Sequence, residues 1–133
     1  AYVEAVSVEA NRIFCELMED YGWDLRWSED FGIRARYMGR EIDFAQMSGG
    51  EQMCAALAVR LALLKIASSL GIAFFDEPTQ NMDEHRRRNF ASQIGRIKGF
   101  KQIFVISHDD TFEEMVENAV KIVKERGTSR VIV

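Results

Sequence analysis

The chain has 133 residues, 47% of them hydrophobic and 29% charged, with a formal net charge of −4. That is enough for one domain with its own core, and the acidic balance excludes nucleic-acid binding by bulk charge, so any DNA contact needs a local basic patch. No run reaches the roughly 18 apolar residues of a membrane span, and acids at Glu4 and Glu9 ahead of any basic residue argue against a signal peptide.

From Val3 the apolar positions Val3, Val6, Ala10, Ile13 and Leu17 recur at spacings of three, four, three and four. This a/d seam predicts the base of a coiled coil over residues 1–21, leading into a globular head over 22–133. An amphipathic surface helix gives the same pattern over so short a run. The chain opens on Ala1 inside this pattern and reads as a fragment. Tyr21-Gly22 predicts the helix end. Cys15 and Cys54 form no C-x-x-C pair and read as reduced thiols, which points to the cytoplasm, or to the nucleus in a eukaryote.

Alternating runs at 25–27, 33–37 and 41–44 predict antiparallel strands, with a hairpin turn at Met38-Gly39-Arg40. Ser48 and Glu51 stand in the S-x-x-E relation of a capping box, ahead of a helix to about Ser69. Met53, Ala56, Leu57, Arg60, Leu61 and Leu64 make its predicted core stripe. Gly71 precedes the apolar run 72–75, which predicts a strand buried on both faces and stopped by Pro78. Asp83-Glu84 opens a helix to about Ile97, closed by Gly99. Residues 102–106 predict a second buried strand. A short helix at 110–117 and strands at 119–123 and 129–133 complete the reading. Strand, helix, strand with apolar strands is a βαβ unit, so the fold class is α/β, with a parallel sheet flanked by helices and a smaller antiparallel part.

The chemistry concentrates in three places. Gly49 and Gly50 occupy a first helical turn, where each glycine costs up to about 1 kcal/mol relative to alanine. They make sense where a ligand approaches the backbone closely, and a helix start with free N–H groups and a positive dipole end suits a phosphate. Asp76, directly after a buried strand, is placed to hold Mg²⁺ against phosphates, and Glu77 to accept a proton from an attacking water. Adjacent acids also simply cap strands, and His108, after the second strand, is as readily a loop histidine as a phosphate sensor.

Taken together, Ser48-Gly49-Gly50-Glu51, Asp76-Glu77-Pro78-Thr79, Asn81-Met82-Asp83 and Ser107-His108-Asp109, in this order, resemble the ABC-type ATPase superfamily. The resemblance runs from Gln46 to about Asp109. It implies a nucleotide-binding signature motif at Ser48, Gly49, Gly50 and Glu51, a Walker B aspartate for Mg²⁺ at Asp76, a catalytic glutamate at Glu77, a D-loop whose Asp83 also binds the nucleotide, and a catalytic switch histidine at His108. The glutamate ending the signature, D-E-P-T, the helix start Asp83-Glu84-His85-Arg86-Arg87-Arg88, the heptad lead-in and the ending Gly127-Thr128-Ser129-Arg130-Val131 are most similar to the Rad-fifty repair ATPases. Met47 and Met82 stand where that family usually has leucine, a volume-conserving exchange.

No G-x-x-x-x-G-K-[ST] occurs in the sequence, so the chain carries no P-loop. In the resembled family the P-loop lies on the amino-terminal half of the head. The resemblance therefore implies a carboxyl-terminal half that binds ATP and Mg²⁺ with that P-loop half, and whose Ser48 helix faces the γ-phosphate of ATP on a second head. It further implies hydrolysis only in the assembled dimer, an Mre-eleven nuclease partner near the coiled-coil base, double-stranded DNA as a partner bound at its ends, and no membrane. Arg86, Arg87, Arg88, Lys98 and Lys101 are candidates for a basic surface, the triplet serving equally as a solvated face with i,i+4 pairing. The alternatives are the nucleotide-binding domain of a transporter, a structural-maintenance-of-chromosomes head, and a scaffold without turnover.

Overall fold

A computed structural model describes residues 1–132. The final residue of the strand expected at 129–133, Val133, lies outside the described residues. The elements in chain order are α1 (Tyr2–Met18), β1 (Trp23–Trp27), β2 (Ile33–Tyr37), β3 (Arg40–Asp43), a 3-10 turn (Phe44–Gln46), α2 (Gly49–Ala67), β4 (Ile72–Asp76), α3 (Glu84–Ile94), β5 (Gln102–Ile106), a 3-10 turn (Asp110–Phe112), β6 (Lys121–Glu125) and β7 (Thr128–Ile132).

The seam residues Val6, Ala10, Ile13 and Leu17 are buried with Phe14. Over its described length this seam packs into the head itself, against α2 and β1. The helix ends at Met18, not at Tyr21-Gly22. Glu19 takes the left-handed conformation at φ 53°, and the Asp20 N–H reaches back to the Cys15 carbonyl at 3.1 Å, a Schellman-type closure.

β1, β2 and β3 form an antiparallel sheet in that order. The β2–β3 turn is the two-residue Met38-Gly39 link, with both residues at positive φ (49° and 81°). That geometry matches the twist of the flanking strands and explains the glycine. The outer edge of β1 would leave backbone groups unpaired, and α1 supplies their partners. Ser7 Oγ accepts the Trp27 N–H at 3.0 Å and donates to the Trp27 carbonyl at 2.9 Å. Asn11 Oδ1 accepts the Leu25 N–H at 2.7 Å, and Cys15 Sγ lies 3.5 Å from the Trp23 carbonyl. The match is metrical: four helical residues rise about 6 Å and two strand residues about 6.6 Å, so positions 7, 11 and 15 meet positions 27, 25 and 23. Covering an edge with a helix also blocks its pairing with another chain.

α2 is enclosed by more neighbours than its periodicity predicted. Leu57 and Leu61 are buried, but so are Cys54, Ala55, Ala58, Val59 and Ala62, while Ala56 and Arg60 of the expected stripe are exposed. α1, β4 and α3 all contact this helix, and small residues permit that close approach. Arg60 lays its guanidinium 5.5 Å over the Phe75 ring, a cation–π contact.

β4 and β5 pair in parallel, with α3 between them in sequence. Both were expected to be buried on two faces, and the structure corrects this. Ala73 and Phe75 are buried, yet Phe74 is 65% and Ile106 56% exposed, and the Phe74 and Phe104 rings stack at 4.7 Å on the open side. The apolar run specifies two covered faces, and the described residues cover one. α3 ends at Ile94, short of Ile97. The helix expected at 110–117 reduces to the single 3-10 turn Asp110–Phe112. β6 and β7 form an antiparallel hairpin that is almost wholly exposed and is tied back through Lys121, 3.5 Å from Glu113. Among the described residues, no helix is long and apolar enough to cross a membrane.

Candidate functional site

The start of α2 carries both arms of the predicted capping box. Ser48 Oγ accepts the Glu51 N–H at 3.2 Å, and Glu51 Oε2 accepts the Ser48 N–H at 2.8 Å. The helical ladder begins with the Gln52 N–H on the Ser48 carbonyl at 2.9 Å. Between them, the Gly49 and Gly50 N–H groups stand in the first turn, where an α-helix has no internal acceptor for them. Ser48, Gly49 and Gly50 are exposed. A Cβ on Gly50 would meet nothing within 4 Å, and one on Gly49 would meet only the flexible Arg86 guanidinium, at 3.2 Å. The chain's own packing therefore gives no reason for glycine at position 50. An external ligand approaching the backbone does.

The second half of the site lies beyond the carboxyl ends of β4 and β5. Asp76 pairs in register with Ile106. The next residue, Glu77, donates its N–H to the Ile106 carbonyl at 2.8 Å and sits in the left-handed region at φ 46°. Pro78 then occupies the second position of a turn closed by the Gln80 N–H on the Glu77 carbonyl at 3.1 Å, where its fixed φ is favourable. A non-glycine residue at positive φ costs about 1 kcal/mol or more, and here it aims the carboxylate across the strand ends. His108 Nδ1 lies 2.7 Å from Glu77 Oε1. The hydrogen bond to Glu77, then its negative charge, raises the His108 pKa above its ordinary value.

Asp76 is exposed at the end of β4, and no three His, Cys, Asp or Glu side chains among the described residues form a metal cage. One open carboxylate suits Mg²⁺, which takes most of its ligands from phosphates and water. Asp83 is the N-cap of α3 and accepts the Arg86 N–H at 2.9 Å, so this predicted ligand already serves its own helix. The arginine triplet is individually paired. Arg86 lies 3.5 Å from Asp83, Arg88 lies 2.9 Å from Glu84, and Arg87 lies 3.0 Å from Asp109. The i,i+4 reading thus fits Arg88 with Glu84, while Arg87 reaches a different element.

The structure joins Glu77 to His108 directly. It connects the Ser48 helix to the rest through a groove of about 370 Å³ between α2 and α3, which runs from Gly49 past Arg60 and Met82 to Pro78. The sequence offers Arg86 and Arg87 for a basic surface, and the structure gives them other partners. Arg86 leans over Gly49, and Arg87 holds the residue after His108. For Arg86 the signal was its place three residues after an N-cap aspartate. For Arg87 no local signal exists.

Comparison with known proteins places the chain among head domains of this architecture. The family profile described as the RecF/RecN/SMC N terminal domain matches residues 19–130. The chain is 34% identical over 125 residues to a DNA double-strand break repair Rad50 ATPase of Thermococcus kodakarensis, covering 90% of this chain and 14% of that protein. It is 35% identical over 134 residues to the corresponding ATPase of Methanopyrus kandleri, covering 96% of this chain and 15% of that protein. The chain thus spans about one seventh of the length of these relatives. Among solved structures, one from work on ATP-driven dimerization of SMC ATPases is similar at a TM-score of 0.68 and 25% identity, covering 98% of this chain and 83% of that one. The SMC head domain from Thermotoga maritima shares the fold at a TM-score of 0.73 and 24% identity, covering 97% of this chain and 47% of that one.

Proposed function

Because this chain belongs to the RecF/RecN/SMC N terminal domain family, we propose that it works as the carboxyl-terminal lobe of an ATPase head in DNA double-strand-break repair. The P-loop that cradles the triphosphate comes from an amino-terminal half, which this lobe joins to make one head. Glu77 accepts a proton from the attacking water, and His108 contacts the γ-phosphate side of the site. Mg²⁺, when bound, supplies charge neutralisation at the phosphate oxygens, with Asp76 as the carboxylate that holds it. Ser48 Oγ and the Gly49 and Gly50 N–H groups take the γ-phosphate of ATP bound to a second head, so ATP joins two heads and hydrolysis parts them. Glu51 secures the helix start, and Asp83 stands at the head-to-head contact. α1 is the base of the coiled coil near which a nuclease of the Mre-eleven kind docks. The assembled machine, cytoplasmic in a prokaryote or nuclear in a eukaryote, binds the ends of double-stranded DNA.

One observation carries this reading. The apolar side of β4–β5, with Phe74 stacked on Phe104, lies open directly beside the Glu77–His108 pair. A parallel pair with both faces apolar belongs inside a larger sheet covered on both sides. A second half that covers this face also brings a phosphate cradle to the carboxylates. The test is to mix the chain with a P-loop-bearing half and measure complex formation, ATP turnover and ATP-dependent dimerisation. Assembly and turnover are expected, and Phe74→Glu with Phe104→Glu should abolish both. A mixture that neither assembles nor hydrolyses ATP overturns the proposal. A chromosome-maintenance head is the second reading, favoured by the likeness to SMC heads. Capture of a winged-helix partner in place of a nuclease, as in the similar solved SMC head bound to the C-winged helix domain of ScpA, would select it.

A further inference from the structure

The Arg87–Asp109 ion pair differs from its neighbours in shielding. Its side chains are 35% and 20% exposed, against 60% and 61% for Arg86–Asp83 and 64% and 68% for Arg88–Glu84. Surface pairs of the latter kind contribute little, whereas a shielded one loses less to water and salt. Asp109 is committed on its other oxygen as well, where Oδ1 accepts the Thr111 N–H at 2.9 Å and the Thr111 hydroxyl. Its own N–H donates to Ser107 Oγ at 3.1 Å. The backbone on both sides of His108 is therefore tied.

A second contact runs beside the ion pair. Phe90 of α3 meets Phe112 edge-on at 6.3 Å and Phe75 of β4 edge-on at 6.4 Å. Arg87 and Phe90 are three apart on α3, and Asp109 and Phe112 are three apart along the 3-10 turn. One helical turn thus grips one 3-10 turn at two points, by charge and by aromatic packing. His108 itself is 83% exposed and, among the described residues, is held at its ring only by Glu77. A side chain without packing neighbours takes its position from its backbone, and that backbone is anchored to α3.

We propose that Arg87 is a positioning residue for ATP hydrolysis, holding Asp109 so that His108 stays on Glu77 and moves as one body with the start of α3. This rests on the reading of Glu77 and His108 as the hydrolytic pair. It joins two parts of the site that the sequence keeps apart. Asp83, placed above at the head-to-head contact, is the N-cap of α3, and Arg87 lies one turn further along the same helix. A shift of Asp83 on head closure is thereby carried to His108 through a single rigid turn.

The test uses the assembled head, this chain with its P-loop half, and compares Arg87→Gln, Arg87→Lys and Asp109→Asn. Arg87→Gln should lower kcat about 10- to 100-fold, the scale set by misplacing a reacting group by an ångström. KM for ATP and ATP-dependent dimerisation should stay within about twofold of the parent, because on this proposal Arg87 acts only through Asp109. Arg87→Lys should restore most of the rate. Asp109→Asn, which can still accept from Thr111 but loses the charge facing Arg87, should reproduce the Arg87→Gln loss and serves where that variant fails to fold. In a Glu77→Gln background Arg87→Gln should add no further loss. Unchanged kcat, a loss shared by KM and dimerisation, or full additivity with Glu77→Gln overturns the inference. If Glu77→Gln itself leaves turnover intact, it is the hydrolytic reading that fails. A dead Glu77→Gln beside a fully active Arg87→Gln removes only the positioning role.

Discussion

His108 Nδ1 stands 2.7 Å from Glu77 Oε1 although 31 residues separate them in the chain. The register of β4 on β5 brings them together. Asp76 opposes Ile106, so Glu77 and His108 follow one and two residues beyond the paired ends. The contact predicts a titration. Glu77 raises the His108 pKa, so the contact stabilises the fold fully below the ordinary imidazole value of about 6.5 and is lost as pH rises through the raised value. Proton NMR should show His108 titrating above that ordinary value, with Glu77→Gln bringing the midpoint down. Equal midpoints in parent and variant would show that the contact does not persist in solution.

Glu77→Gln keeps the size of the side chain and removes its basicity. In the assembled head it should lower hydrolysis by about 10²–10⁴-fold, the usual contribution of a general base, while sparing ATP-driven dimerisation. Steady-state ATPase assays beside size-exclusion chromatography check both halves of the expectation. Near-parental turnover would remove Glu77 from the chemistry.

Ser48→Arg places bulk where the phosphate is expected and removes the oxygen that caps α2. ATP-dependent dimerisation should be lost. Removing the cap also costs about 1 kcal/mol of stability, so a Ser48→Ala control isolates that part. A dimer that still forms with ATP in Ser48→Arg would show that this helix does not face the nucleotide of a second head.

Asn11→Ala leaves the Leu25 N–H of the β1 edge without its acceptor, and Ser7→Ala does the same at Trp27. Each should destabilise the chain by about 1–3 kcal/mol, the cost of an orphaned buried group, seen as a lower urea midpoint. Faster amide exchange at Leu25 in the first variant and at Trp27 in the second would locate the loss. Exchange unchanged at both would mean that α1 does not strap this edge.

Cys54 is fully buried, and burial pushes its thiol pKa up to about 11. Burial, then the charges of Asp20 and Asp24, raises that of Cys15. Because the thiolate is the reactive form, both should resist alkylation at pH 8 in the native state and react once urea unfolds the chain. Native-state labelling of Cys54 at the rate of a free thiol would mean that the α1–α2 core opens readily.

The features legible in the sequence are those whose cause lies within a few residues. Ser48 and Glu51 cap α2 because both bonds close within one turn. Met38-Gly39 turns the β2–β3 hairpin because its two residues alone must reach positive φ. Asp76-Glu77-Pro78 ends β4 because the proline presets a turn. The helix expected at 110–117 failed on the same scale. Asp109 caps a single 3-10 turn, and the apolar Met115, Val116 and Val120 that a longer helix would align stay exposed, with no described element packed on them to extend it.

Sequence by itself determined the capping box of α2, the turns at Met38-Gly39 and Glu77-Pro78 and the strand-helix-strand order of the βαβ unit, and it showed that strands 72–75 and 102–106 want apolar neighbours on both sides. Only the tertiary structure decided which of those faces this chain covers, that Ser7 and Asn11 satisfy the edge of β1, and that Arg87 belongs to Asp109 and not to its helix neighbours. The physical reason is range. Capping, turns and periodicity are set by bonds and sterics along a few residues, whereas burial and ion pairing depend on which distant segments the fold brings within 3–4 Å, and one strand register is enough to set Glu77 against His108.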